Sequence, residues 1–124
     1  MSENFSLIIK NGHCYIDGKL IQTDLGISAN KIKKIGQISP KGINKSKIID
    51  ASNLKIIPGI IDTQVHFREP GSTDSEDLES GSRAAVLGGV TSLFEMPNTN
   101  PPTANLAEFE KKLRAAKNRM HPNY

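Results

Sequence analysis

The sequence predicts an α/β fold in which a small β-domain precedes two βα units. Residues 5–57 are short apolar segments separated by Gly, Asn, Asp and Pro, a pattern typical of β-strands and tight turns. Residues 58–124 instead alternate strand, helix, strand and helix, the unit of a parallel sheet. The composition, 36% hydrophobic and 23% charged, is that of an ordinary globular protein.

The β-domain is predicted to consist of short strands joined by turns. Asp17-Gly18 is a type I′ hairpin signal between two of them, and Ile32 and Ile35 are expected to point inward. Residues 36–46 form a loop. The expected strands cover residues 5–10, 13–16, 19–22, 25–28, 31–35, 48–50 and 54–57.

In the second half, Pro58-Gly59 and Pro70-Gly71 bound a predicted strand. Thr73 and Glu76 fit a capping box that starts a helix running to residue 87, where Gly88-Gly89 stops it. Residues 90–96 form the next strand. Asn105 or Thr103 caps a second helix, whose expected core-facing stripe is Leu106, Phe109, Leu113 and Ala116.

Four polar side chains alternate along the strand after Pro58-Gly59. Because successive side chains of a strand point to opposite faces, Asp62, Gln64, His66 and Arg68 share one face. The other face carries Ile61, Thr63, Val65 and Phe67. Burying such a polar row is costly, so the row indicates a functional site.

Other classes of function receive little support. The net charge is +3 and the basic residues are not clustered with aromatics, so nucleic-acid binding is not expected. No stretch reaches the ~20 apolar residues of a membrane span, and the first residues do not resemble a signal peptide. Cys14 is the only cysteine. We therefore predict a cytoplasmic protein.

The string IIDTQVHFREPG resembles the first-strand motif of dihydroorotases, which belong with hydantoinases and allantoinases to the cyclic amidohydrolases. The similarity continues through residues 76–85, through Gly88-Gly89-Val90-Thr91 and through Glu95-Met96-Pro97-Asn98-Thr99. The family pattern is Asp-x-His-x-His-x-Arg followed by Glu-Pro-Gly. Here Gln64 stands where the first histidine is usual.

The resemblance implies a zinc-dependent enzyme on a (β/α)8 barrel with a small β-domain. It implies residues 1–57 as an incomplete β-sandwich-like domain and 58–124 as the first two βα units of a truncated TIM barrel, which needs ~250 residues. The implied reaction is the reversible closure of N-carbamoyl-aspartate to dihydroorotate in pyrimidine biosynthesis. We expect the catalytic aspartate to lie beyond Tyr124 and the chain alone to be inactive, whether it is a natural short form, a truncated product or a fragment.

The resemblance also implies roles for the site residues. His66 takes the position of a metal ligand and Gln64 that of the usual histidine ligand, while Arg68 and Asn98 hold a substrate carboxylate. Asp62 either orients the strand or the neighbouring site residues, or has a purely structural hydrogen-bonding role. The structural alternatives are a His66 satisfied by the backbone, an Arg68 paired with Glu69 or a helix carboxylate, and an Asn98 in a turn before Pro101.

Gln64 leaves several alternatives open. An amide oxygen is a poor zinc ligand, so the site could hold one metal ion, none, or a rearranged set of ligands. The chain could also be a non-catalytic relative that supports aspartate transcarbamoylase, or an allantoinase- or hydantoinase-type enzyme. Open sheet edges and uncovered apolar faces further predict a homo-oligomer or a docked partner chain.

Overall fold

The computed structural model describes residues 4–124 and confirms a mixed α/β chain. It divides into two compact units, one ending at Pro58 and one formed by Gly59–Tyr124. Neither helix of the described residues is long and apolar enough to cross a bilayer. The elements are β1 (Leu7–Ile16), β2 (Lys19–Ser28), β3 (Lys31–Ile35), a 3-10 helix (Lys45–Lys47), β4 (Ile48–Asp50), β5 (Lys55–Ile56), β6 (Ile60–Val65), α1 (Leu78–Leu87), β7 (Val90–Glu95) and α2 (Leu106–Ala116).

The first unit is one five-stranded sheet. Its strand order is β3-β2-β1-β4, and β5 also pairs with β1; β2 and β3 run antiparallel to their neighbours, whereas β4 and β5 are parallel to β1. Asp17 and Gly18 both have positive φ, 48° and 78°, as a type I′ turn requires.

Three predictions for this unit are wrong. The separate strands expected at 19–22 and 25–28 form the single strand β2. The separate strands expected at 5–10 and 13–16 form a single β1, because a bulge between Ile9 and Gly12 absorbs the turn signal at Asn11, whose φ is 64°. Ile32 and Ile35 do not point inward and are 57% and 52% exposed. They lie on the edge strand β3, which contributes no residue to the cluster of Phe5, Ile8 and Ile38.

The second unit is built on a parallel pair of strands, β6 and β7, connected through α1. The helices pack on this pair through a cluster of Phe67, Leu78, Leu93 and Ala116. Gly81 allows the close approach of α1, because a Cβ at that position would lie 2.8 Å from the Phe67 ring. This α/β alternation is the one predicted; its extension to a barrel remains a prediction.

The first helix begins later than the sequence predicted. α1 starts at Leu78 with Asp77 as its N-cap, and Thr73 lies in a turn. Asp77 accepts a 2.7 Å hydrogen bond from the Ser80 N–H, and the Ser80 hydroxyl accepts one of 3.1 Å from the Asp77 N–H. This reciprocal box displaces the one predicted at Thr73 and Glu76.

The second helix has Asn105 as its N-cap, one of the two caps that the sequence left open, and its expected core stripe is only partly buried. Ala116 is 5% exposed, whereas Leu106, Phe109 and Leu113 are 70%, 49% and 44% exposed. The spacing predicted the apolar face correctly. The prediction that this face is buried was wrong, because no described segment covers it.

Candidate functional site

The predicted site residues lie at one edge of the parallel pair. β6 ends at Val65, so His66 and Arg68 follow the strand instead of closing it, and Asn98 follows the end of β7 at Glu95. Parallel strands have their carboxyl ends at the same edge. The chain therefore brings His66, Arg68 and Asn98 to one end of the unit, where all three are exposed.

His66 and Asn98 contact each other directly. The distance from His66 Nδ1 to Asn98 Oδ1 is 2.8 Å, although the residues are 32 positions apart in the sequence. Because an amide oxygen only accepts, Nδ1 is the donor of this hydrogen bond, and Nε2 is the ring nitrogen that the contact leaves open to a ligand. The contact fixes the orientation of the imidazole. It differs from the two structural alternatives, a histidine held by the backbone and an asparagine in a turn.

Arg68, two residues after His66, is also exposed. Its carbonyl accepts a 2.9 Å hydrogen bond from the Ser72 N–H. Its guanidinium makes no hydrogen bond or ion pair within residues 4–124. The alternative of an Arg68–Glu69 pair is not what the structure shows, since Glu69 pairs with Arg119. The Arg68 guanidinium therefore remains available to a ligand.

Gln64 and Asp62 occupy the preceding positions of β6. Gln64 is exposed and Asp62 is half-buried. Asp62 Oδ1 accepts a 2.9 Å hydrogen bond from the Gln64 N–H, at the point where the register between β6 and β7 shifts. This hydrogen bond holds the backbone at Gln64, and the choice between the two roles of Asp62 stays a prediction.

The described residues do not by themselves fit a metal ion. Residues 4–124 contain no group of three or more His, Cys, Asp or Glu side chains placed to hold a cation. His66 offers one imidazole nitrogen, and Gln64 offers an amide in place of a second. A zinc site needs three or four good ligands, so the described residues supply at most part of the ligand set.

Two ion pairs, Glu69–Arg119 and Glu95–Lys112, connect the segments next to the site residues. The sequence predicted neither pair. Arg119 donates two hydrogen bonds, of 2.7 and 2.8 Å, to the Glu69 carboxylate. Glu69 also accepts from the Leu78 N–H at 2.9 Å, which joins the residue after Arg68 to the start of α1. The hydrogen bonds from Arg119 hold the pKa of Glu69 below its usual range. Nothing in the sequence singles out Arg119, 50 residues away, as the partner of Glu69.

The second pair joins β7 to α2. Glu95, with 14% of its side chain exposed, contacts Lys112 at 2.5 Å. Burial raises the pKa of the Glu95 carboxyl above its usual range, although the hydrogen bond and charge of Lys112 act in the opposite direction. The second oxygen, Oε1, is buried without a hydrogen-bond partner among the described residues.

Comparison with known proteins identifies the family of this chain. The amidohydrolase family model matches residues 56–123. Dihydroorotase from Lactobacillus gasseri is 43% identical over 106 residues, covering 86% of this chain and 24% of that protein. Dihydroorotase from Aquifex aeolicus is 46% identical over 101 residues, covering 80% of this chain and 24% of that protein.

A solved structure agrees in fold as well. The L-hydantoinase (dihydropyrimidinase) from Arthrobacter aurescens superposes with a TM-score of 0.81 at 28% identity, covering 94% of this chain and 26% of that one. The chain thus spans about a quarter of the length of the relatives that it matches. The matched region includes both parallel strands and every predicted site residue. This chain belongs to the amidohydrolase family.

Proposed function

We propose that the chain supplies the substrate-carboxylate positions and one imidazole of a cyclic amidohydrolase site of the dihydroorotase type. The proposed reaction is the reversible closure of N-carbamoyl-aspartate, in which the carbamoyl nitrogen bonds to the side-chain carboxyl carbon and water leaves. The observation that carries this proposal is the His66–Asn98 contact of 2.8 Å, with an exposed Arg68 two residues after His66.

Arg68 is proposed to hold the carboxylate of the substrate that does not react. A guanidinium presents parallel N–H donors that match the two oxygens of a carboxylate. Arg68 forms no ion pair within the described residues, which supports this role. An arginine that was already paired with a carboxylate of the protein would have to break that pair before it could bind the substrate. Glu69, the nearest carboxylate in sequence, is instead engaged by Arg119.

Asn98 is proposed to contact the same carboxylate while it orients His66. Its Oδ1 accepts from the imidazole, so its Nδ2 group remains a donor that faces outward from the contact. One asparagine would thus couple substrate binding to the orientation of the ring. His66 is proposed to act through Nε2, the ring nitrogen that this hydrogen bond leaves without a partner among the described residues.

The rest of the site is proposed to come from polypeptide outside the matched quarter. The described residues do not complete a metal site, so zinc binding and catalysis are not proposed for this chain alone. Relatives at 43–46% identity are dihydroorotases, which favours dihydroorotate over hydantoin as the ring. An arginine that binds carboxylate favours the same choice, because unsubstituted hydantoin has no carboxylate.

A chimera tests the proposal. The matched quarter of the Lactobacillus gasseri enzyme is replaced by this chain's sequence, and dihydroorotate hydrolysis is measured with Arg68→Met and with Arg83→Met as the control. Arg83 is a 59% exposed arginine of α1 paired with Glu79 at 3.4 Å, outside the proposed site. We expect Arg68→Met to raise KM at least about tenfold, since a hydrogen-bonded charge contributes ~1.5–3 kcal/mol. Equal KM values for both variants would reject the role of Arg68.

Gln64 favours a second candidate function of a different class. With an amide where the family usually has histidine, the chain could be part of a non-catalytic subunit that supports aspartate transcarbamoylase. Purification of the chimera with bound zinc and measurable turnover would reject this candidate. A zinc-free chimera that co-purifies with the transcarbamoylase would support it.

A further inference from the structure

Two closed loops carry Arg68 and Asn98. We call residues 68–72 the Arg68 loop and residues 97–103 the Asn98 loop. In each loop the backbone N–H of the last residue donates to the carbonyl of the first, at 2.9 Å in the Arg68 loop and 2.8 Å in the Asn98 loop. Each proposed carboxylate-binding residue is therefore held at or near the start of a short, closed stretch of chain.

One backbone hydrogen bond and one close contact join the two loops. The Asn100 N–H donates to the Pro70 carbonyl at 3.0 Å. Gly71, whose φ is 125°, lies directly against Asn100. A Cβ at Gly71 would lie 3.0 Å from both the Cβ and the carbonyl oxygen of Asn100, closer than Cβ atoms usually come to other atoms. The approach of the two loops therefore depends on the missing side chain at Gly71.

This junction lies two residues from each proposed carboxylate-binding residue. Pro70 is two residues after Arg68, and Asn100 is two residues after Asn98. On the other side of Arg68, His66 Nδ1 contacts Asn98 Oδ1 at 2.8 Å. Contacts to the chain around Asn98 thus lie on both sides of Arg68 in the sequence, and together they fix where the Arg68 backbone sits relative to Asn98.

We propose that Gly71 is a positioning residue: it lets the Arg68 loop lie against Asn100 and so sets the separation at which Arg68 and Asn98 bind one substrate carboxylate. This inference rests on the function proposed above for that pair. A methyl group at Gly71 would move the loops apart by a few tenths of an ångström, because it would meet Asn100 at 3.0 Å. Binding groups must be held within ~0.5 Å of their productive geometry, and a displacement of ~1 Å can cost ~100-fold. The substitution therefore weakens carboxylate binding.

Gly71→Ala and Gly89→Ala are compared in the chimera with the Lactobacillus gasseri enzyme, with dihydroorotate as substrate. Gly89 is the matched control, because it lies in the same unit and its φ of 92° is also in the left-handed region. A Cβ at Gly89 would approach only Ile60 Cδ1, at 3.9 Å, among the described residues. Both substitutions strain the backbone, but only Gly71→Ala pushes on the Asn98 loop.

We expect Gly71→Ala to raise KM at least about fivefold and Gly89→Ala to change KM less than about twofold. A purely structural role for Gly71 predicts a different result, because loss of folded enzyme lowers the apparent kcat and leaves KM unchanged.

Arg68→Met separates this inference from the proposed function. If Arg68→Met raises KM but Gly71→Ala gives the KM of Gly89→Ala, the positioning role of Gly71 is overturned and the role of Arg68 stands. If Arg68→Met leaves KM unchanged, the proposed function and this inference are both overturned.

Amide hydrogen exchange in the chain itself tests the junction without turnover. The Asn100 amide should be protected in the native chain and should exchange at least about tenfold faster in Gly71→Ala than in Gly89→Ala. An unprotected Asn100 amide in the native chain, or equal exchange rates in the two variants, overturns the inference even if the chimera is inactive.

Discussion

Arg119→Met should destabilise the second unit, because it removes a clamp that joins three segments. Arg119 donates to both Glu69 oxygens at 2.7 and 2.8 Å and to the Ala115 carbonyl at 3.2 Å. Glu69 in turn accepts from the Leu78 N–H at the start of α1. Methionine keeps most of the apolar stem, so the substitution isolates the loss of the charge and its donors.

The burial of the pair sets the size of the effect. The Glu69 and Arg119 side chains are 16% and 35% exposed, so this ion pair is neither fully exposed nor fully buried. An exposed pair contributes ~0–1 kcal/mol, whereas the disruption of a buried pair costs ~3–5 kcal/mol. After allowance for screening by solvent at Arg119, we expect a loss of about 2 kcal/mol in the free energy of unfolding. The Leu78 N–H keeps its acceptor, so Glu69 retains one hydrogen bond.

Urea denaturation followed by far-ultraviolet circular dichroism measures this loss. Both α-helices of the described residues lie in the second unit, so the helical signal reports on that unit. With a urea dependence of about 1 kcal/mol/M, the midpoint should fall by about 2 M. Arg114→Met is the matched control: Arg114 is a 67% exposed arginine of α2 whose pair with Glu110 is 3.7 Å long, and its loss should change stability by less than about 0.5 kcal/mol.

The pH dependence of the difference identifies its cause. Arg119 lowers the pKa of Glu69, so the clamp's contribution is complete above the unfolded value of ~4.3 and is lost as pH falls through the lower folded value. The gap between the native chain and Arg119→Met should therefore close in acid. A gap that persists unchanged at low pH, or a midpoint equal to that of Arg114→Met, would refute the reasoning.

Two further predictions concern the other ion pairs. Asp24→Ala should destabilise the first unit by about 3 kcal/mol by urea denaturation, because this buried carboxylate accepts from Lys10 Nζ and from the N–H groups of Asn11 and Ile38. Burial alone raises the pKa of Asp24, but these hydrogen bonds outweigh it and lower the pKa, so its contribution should disappear as pH falls through the folded value. Lys112→Met should cost about 3 kcal/mol at neutral pH by leaving the Glu95 carboxylate buried and unpaired, and Glu95→Gln in the same chain should recover part of that loss. Because the pKa of Glu95 is raised, the cost of Lys112→Met should shrink as pH falls through that raised value; a cost independent of pH would contradict the assignment.

Local signals in the sequence predicted much of the fold. Asp17-Gly18 specified a turn that needs positive φ at both residues, and the start of α2 was limited to Thr103 or Asn105, of which the structure uses Asn105. The capping box at Thr73 failed because a competing box at Asp77 and Ser80 lies a few residues later, and local pattern does not rank the two. Burial of the α2 stripe failed because burial depends on what packs against a helix, not on its periodicity.

For the candidate site, too, the sequence pattern predicted where residues lie but not which side chains contact each other. The period-two row from Asp62 to Arg68 and the equivalent ends of two parallel strands predicted that His66, Arg68 and Asn98 share one end of the unit. The sequence did not predict that Asn98 accepts from His66, nor that Arg119 engages Glu69 and leaves Arg68 without that pair. Such pairings depend on side chains that meet only after the strands and helices have packed.

The most direct measurement is the ratio of kcat/KM for dihydroorotate to kcat/KM for unsubstituted hydantoin in the chimera with the Lactobacillus gasseri enzyme, made with Gln64 and with Gln64→His. The account predicts a strong preference for dihydroorotate that Arg68→Met removes, and a higher kcat when histidine replaces Gln64. A preference for hydantoin, or a preference for dihydroorotate that survives Arg68→Met, would contradict it.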